Sequence, residues 1–333
     1  MKKDENDIMT GQCDRTERIC YGRDEMLRMI ANTLTLYAYH VENDGLLDGK
    51  TGVMLFLYRY AAHTDNDVYG KVAGNILDGI MKIALTMAPG FENGLAGAGW
   101  AISRLMSEDI VAGNPSEVLA RIDDSVFGST ESNDGMMSGQ AVYLAERLRD
   151  KSSPAVLSRY AEGMLGYISH SMTYGRLALS RVNSMLYFLV CVRTLPGVSD
   201  KVEQILALMP RLYERMDAGM CHSDTDIYIH GMLSDMLGTD NRCMPLYCAD
   251  MQSCDGDEVD MFLERAWQET IYTGRLQTPV PAPALLSRFL DEKMQNLRSQ
   301  DFCMRNGLAG LGLALLAADE DKKNTTEGHE RQI

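Results

Sequence analysis

"NGLAGAGWAI" at 93–102 and "NGLAGLGLALL" at 306–316 carry nearly the same text: Asn-Gly-Leu-Ala-Gly-x-Gly, then an apolar run. Glycines in this pattern belong either to a phosphate-cradling loop or to a structural repeat. A phosphate loop of the dinucleotide or P-loop kind needs a preceding strand or a following Gly-Lys-Ser/Thr, and the chain offers neither. The repeat explanation generalises. The same Gly-x-x-Gly core stands at Gly49 and Gly52 in "DGKTGVMLFLYRY", and at Gly94 and Gly97 and at Gly307 and Gly310 in the two opening stretches. It persists in altered form in "DGMMSGQAVYLAERL" (Gly135, Ser138) and "HGMLSDMLG" (Gly231, Ser234).

The first glycines of these copies are spaced by 45, 41, 96 and 76 residues. The third interval is twice 48, so a further copy is expected near residue 183, where "RVNSMLYFLVCV" puts Asn183 in the glycine's place. The last interval holds an insertion, "TDNRCMPLYCADMQSCDGDEVD" at 239–260. Its Cys243, Cys248 and Cys254 match no structural zinc spacing, and the segment reads as a loop insertion. Six units of about 45 residues result, a period typical of helical repeats.

Between the motifs the pattern is helical. "NPSEVLARIDDSVF" opens with Asn114 as N-cap, Pro115 at the first helical position and Glu117 two residues on. "SSPAVLSRYAEGMLGYISHSM" opens similarly with Ser153 and Pro154. "DKVEQILALMPRLYERM" keeps helical spacing, and Pro210 is expected to break it. "PALLSRFLDEKMQNLRSQ" is amphipathic, and no stretch alternates as a strand. The fold class is therefore all-α, with an outer amphipathic helix, a glycine turn and an inner apolar helix in each unit. Six such hairpins predict an (α/α)6 toroid, with an open solenoid as the other arrangement. The expected organisation is an N-terminal extension over 1–24, one barrel domain over 25–317, and a charged, disordered tail over 318–333.

With 45% hydrophobic residues the chain can bury a large core. A net charge of −15 argues against nucleic acid and anionic membranes and favours neutral or cationic partners. The N-terminus lacks an apolar signal region, and the longest apolar runs, such as "MLYFLVCV" at 185–192, are too short to insert in a membrane. Eight irregularly spaced cysteines read as reduced thiols. A cytoplasmic location is expected.

The residue preceding each first glycine is Asp48, Asn93, Asp134, Val182, His230 or Asn306. In a closed toroid these positions would line one mouth, beside the starts of the inner helices. They suit N-caps, and equally a polar binding mouth with His230 as acid/base and Asp48 or Asp134 as its carboxylate partner. Arg181, Cys303 and Arg305 are expected near the same rim.

"GLLDGKTGVMLFLYRY" early, "FENGLAGAGWAISRL" with "IDDSVF" next, and "NGLAGLGLALL" late resemble the lanthionine synthetase C-like proteins over roughly residues 25–317. The resemblance implies an (α/α)6 barrel. In the family's cyclases it also implies a zinc ion that activates a peptide cysteine for addition to a dehydrated Ser or Thr. The family's ligands lie in Trp-Cys-x-Gly and Cys-His-Gly motifs of the fourth and fifth repeats. Here the fourth copy has Arg181 at about the cysteine's place, and the fifth reads "YIHGML", with Ile229 for Cys and only His230 retained. Such a site needs three protein ligands. The chain is thus expected to bind or help modify a peptide at the barrel mouth, with no cofactor. One alternative is a zinc-dependent thioether cyclase with ligands rearranged to Cys221, His222 and His230. Another is an (α/α)6 carbohydrate-active enzyme using Asp48 and Asp134.

Overall fold

The computed structural model describes residues 20–128, 138–149, 155–216, 222–239 and 258–330. Among these residues there is no strand. The helices are α1 (Arg23–Tyr37), α2 (Lys50–Thr64), α3 (Asp67–Ile83), α4 (Leu95–Ser107), α5 (Pro115–Val118), α6 (Ala120–Phe127), α7 (Ser138–Arg149) and α8 (Ala155–Tyr174). They continue with α9 (Leu179–Val192), α10 (Ser199–Leu206), α11 (Met209–Arg215), α12 (Asp224–Leu237), α13 (Glu258–Thr273), α14 (Pro283–Gln295) and α15 (Leu308–Glu330). None is long and apolar enough to cross a membrane.

Two kinds of helix alternate. In α4 every residue except Arg104 and Ser107 is buried, as expected of a helix enclosed by neighbours. The next-door α3 buries only Ala73, Ile76 and Ile80, one stripe at helical spacing. Asn66 caps α3, its side chain accepting the Val68 N–H. The enclosed helices pack in sequence: α2 on α4, α4 on α7, α7 on α9, α9 on α12. α13 then bridges α12 to α15, and α15 packs on α2, so the path of contacts returns to its start. α3, α6 and α8 cover α2, α4 and α7 from outside, with α10 and α11 against α8.

The glycine turns share one construction. A 3-10 turn precedes each complete copy, at Ala38–His40, Ala84–Thr86 and Ser299–Phe302. The chain then loops back over the start of the following helix. A Cβ on Gly52, Gly97 or Gly310 would overlap the carbonyl oxygen of Leu46, Phe91 or Met304, the residue six positions earlier in each case. Only hydrogen fits there. The loops of the last, first and second copies are joined through equivalent residues: Arg305 N–H donates to Leu47 O at 2.9 Å, and Leu47 N–H to Glu92 O at 2.8 Å.

Pro210 breaks its helix as expected: α10 ends at Leu206, and α11 carries the proline in its first turn. Asn114 caps α5 by accepting the Ser116 N–H, but its helix is only one turn before α6 takes over. Ser153, Pro154, Asp134, Cys221 and most of the 239–260 insertion lie outside the described residues.

Two expectations are corrected. The segment after Ala318 is helical to Glu330 rather than disordered. Asp319 is ion-paired to Arg23 of α1, which ties the helix down past the expected boundary. The fourth and fifth copies also do not start their helices at the aligned glycine position. α9 begins at Leu179 and α12 at Asp224, where Ser223 caps the helix by accepting the Asp226 N–H. Asn183 and His230 therefore lie inside helices, not at their entrances.

Candidate functional site

The starts of α2, α4 and α15 meet at one end of the bundle, where three of the predicted residues form a single network. Asn93 Oδ1 accepts the Asp48 N–H at 3.1 Å, and Asn93 Nδ2 donates to Asp48 Oδ2 at 2.7 Å. Arg305 Nε donates to Asp48 Oδ1 at 3.0 Å, and its Nη2 reaches Glu92 Oε2 at 2.5 Å. Burial disfavours the Arg305 charge, but its hydrogen bonds to the Asp48 and Glu92 carboxylates outweigh it and raise the guanidinium pKa. Asp48 and Asn93 do not cap their own helices, because Gly49 and Gly94 occupy the N-cap positions. Asn306 is exposed beside this network. Together with Asp48, Cys303 and Arg305 it lines a cavity of about 650 Å³. Cys303 is not a ready nucleophile: burial, then the nearby Asp48, pushes its thiol up to about 11.

A second cavity, of about 390 Å³, is lined by Glu92 and Asn93. Its wall takes Glu92 from the loop before α4, Val142 from α7, Ser184 from α9, Asp226 from α12, and Trp267 and Tyr272 from α13. Four successive copies thus contribute to it near the starts of their enclosed helices. Ser184 Oγ and Tyr272 Oη are 3.1 Å apart and hold α9 to α13. Burial pushes the Tyr272 phenol up to about 12. The Asp226 carboxyl is also raised, by burial against a smaller opposing hydrogen bond from Ser223.

His230 and Arg181 are placed elsewhere. His230 is 1% exposed and has both ring nitrogens engaged, by Asn183 Oδ1 at 2.9 Å and Tyr213 Oη at 2.7 Å. Asn183 Nδ2 donates to the Asp226 carbonyl, so its Oδ1 faces the ring as an acceptor. Nδ1 then carries the proton, and Nε2 accepts from the tyrosine hydroxyl. Burial, with a minor contribution from His222, lowers the imidazole pKa to about 4. The reading of His230 as a mouth acid/base is corrected: it is a neutral, hydrogen-bonded core histidine. Arg181 Nη2 donates to Tyr167 Oη of α8 at 2.8 Å.

Of the set Cys221, His222 and His230, the first lies outside the described residues and the last has no free ring nitrogen. Among the described residues no three His, Cys, Asp or Glu side chains converge as a metal site. Glu92, Asp226, Gln268 and Tyr272 escaped the sequence reading. Glu92 carried one usable signal, as the equivalent of Leu47 and Arg305 two residues before the glycine. The α13 residues lie outside the repeated motif and carried none.

Neither a protein-family model, nor a curated protein, nor a solved structure matches the chain.

Proposed function

We propose that this chain is a six-hairpin (α/α)6 toroid of lanthionine synthetase C-like type that binds a peptide at its mouth, and helps its modification without the family's usual zinc site. The observation that carries the reading is the 390 Å³ cavity built by four successive copies where their enclosed helices begin. A pocket of roughly 300–1,000 Å³ with convergent polar groups and apolar walls is of ligand-binding kind. Support for ring closure comes from α15 packed on α2 and from the Arg305–Leu47–Glu92 backbone hydrogen bonds. Zinc-dependent cyclase chemistry through His230 is the weaker reading, because that ring is already engaged on both sides.

The test is selection of a randomised peptide pool on the full chain and on Ser180→Trp. Ser180 is exposed at the cavity wall, so an indole there fills the space without disturbing the core. Enrichment on the unaltered protein, lost in the variant, is expected. Equal enrichment on both, or none on either, removes the cavity from the account.

A further inference from the structure

We propose that the 390 Å³ cavity takes a cationic side chain, the guanidinium or ammonium of a peptide Arg or Lys, held between the Glu92 and Asp226 carboxylates and the aromatic faces of Trp267 and Phe91. The inference deepens the peptide-binding reading above and rests on it.

Three observations lead there. First, the described lining residues include two carboxylates and no Lys, Arg or His. The cation bonded to the lining Glu92, Arg305, pairs with Asp48 as well, so that trio keeps one net negative charge. Arg265 of α13 is engaged by an aromatic neighbour, its guanidinium lying 5.4 Å over the Tyr228 ring. Arg181, next to the lining Ser180, is held by Tyr167.

Second, the helix starts around the cavity do not make it an anion site. Helix N-termini attract anions through free N–H groups, but Leu95 N–H already donates to Ala88 O at 2.7 Å and Ala96 N–H to Gly90 O at 3.2 Å. On α12 the Asp226 N–H is taken by Ser223 Oγ at 3.0 Å.

Third, the remaining wall offers acceptors and rings. Gln268 is 6% exposed and donates its amide N–H to Glu264 Oε1 at 3.1 Å. Its carbonyl oxygen makes no hydrogen bond to the described residues. An acceptor left open at the wall of a pocket suits a donor-rich ligand, and guanidinium and ammonium groups carry only donors. Phe91 and Trp267 add π faces of the kind that bind desolvated cations, while carboxylates supply the charge-assisted hydrogen bonds.

The test uses peptides selected on the full chain from the randomised pool, resynthesised with citrulline for Arg and acetyl-lysine for Lys. Binding is read by tryptophan emission, because Trp267 lines the cavity and Trp100 packs edge-on behind the lining Phe91. Selected peptides are expected to share an Arg or Lys, and to lose about tenfold or more in affinity when it is neutralised. Asp226→Asn is expected to cause a similar loss. Because Asp226 lies in the first turn of α12, Glu92→Gln on its exposed loop serves as the second variant. Enriched peptides without Arg or Lys, or neutral counterparts that bind equally well, overturn the cation assignment and leave peptide binding standing. No enrichment at all overturns both.

Discussion

Asn93 returns both ends of its amide to Asp48, 45 residues upstream: Oδ1 accepts the Asp48 backbone N–H, and Nδ2 donates to the Asp48 carboxylate. The side chain that follows one copy's loop therefore completes the hydrogen bonding of the previous copy's loop. This clamp fixes the relative position of two helix starts, which is what the cavity beyond it requires.

Asn93→Asp replaces the donor with a carboxylate facing Asp48. The pair is exposed and Arg305 remains nearby, so the cost is modest: roughly 1 kcal/mol, from one lost hydrogen bond and a new like-charge contact. A thermal melt should show a decrease of a few degrees that shrinks in high salt. A melt unchanged at low salt would mean the clamp contributes nothing.

Gly97→Ala and Gly79→Ala should part in sign. A methyl group at Gly97 overlaps the Phe91 carbonyl oxygen, and relief requires moving backbone. Several kcal/mol of destabilisation or failure to accumulate is expected. Gly79 lies within α3 with nothing within 4 Å of the added carbon, and alanine there should stabilise by roughly 0.5–1 kcal/mol. Paired denaturant titrations check both, and equal effects would refute the close-approach account of the glycine motif.

His230 predicts a pH signature. Its folded pKa is near 4, against an ordinary value of 6.5, so the unfolded chain binds the proton more readily. The contribution is fully present above pH 6.5 and is lost as pH falls toward 4. The maximum loss is roughly 3 kcal/mol. His230→Gln should be less stable at neutral pH yet show a shallower loss between those values. Parallel slopes for the two proteins would mean the ring is not held neutral.

Tyr213→Phe removes the donor to His230 Nε2 and leaves a buried acceptor without a partner, at about 1–3 kcal/mol. Equilibrium unfolding measures it. A neutral effect would point to water replacing the hydroxyl.

Metal content separates the two readings of the fifth copy. Protein purified without chelator, and its His230→Ala variant, should carry equal zinc. About one zinc per chain that disappears in the variant would mean that the ring leaves Asn183 and Tyr213 to bind metal, and the cyclase reading would return.

The repeat was legible because its cause is local. Gly52, Gly97 and Gly310 each sit against a carbonyl six residues back, so the pattern that makes the contact is written within one short stretch. Helix type was legible for the same reason: α3 shows a stripe and α4 shows none. Asp48, Asn93 and Arg305 meet because the loops of the complete copies lie side by side. His230 was misplaced because its copy lacks the second glycine, and its helix start is set instead by Ser223, which the alignment ignored. The cavity escaped because Trp267, Gln268 and Tyr272 come from α13, whose position follows from packing between α12 and α15 rather than from any motif. The end of α15 was misread because a charged composition describes solvation, whereas the Arg23–Asp319 pair is a contact between distant parts of the chain.

Leu47 offers its carbonyl to the N–H groups of Met304 and Arg305. During synthesis that acceptor emerges long before its partners do. Leu47 is buried, so the unmet carbonyl can be sheltered only once residues 304 and 305 have left the ribosome. The first copy thus waits for the last, and the closing step carries the slow, nonlocal character of high contact order. A nascent chain stalled with residues 304 and 305 still inside the ribosome should present early helices open to protease, and emergence of those two residues should close them.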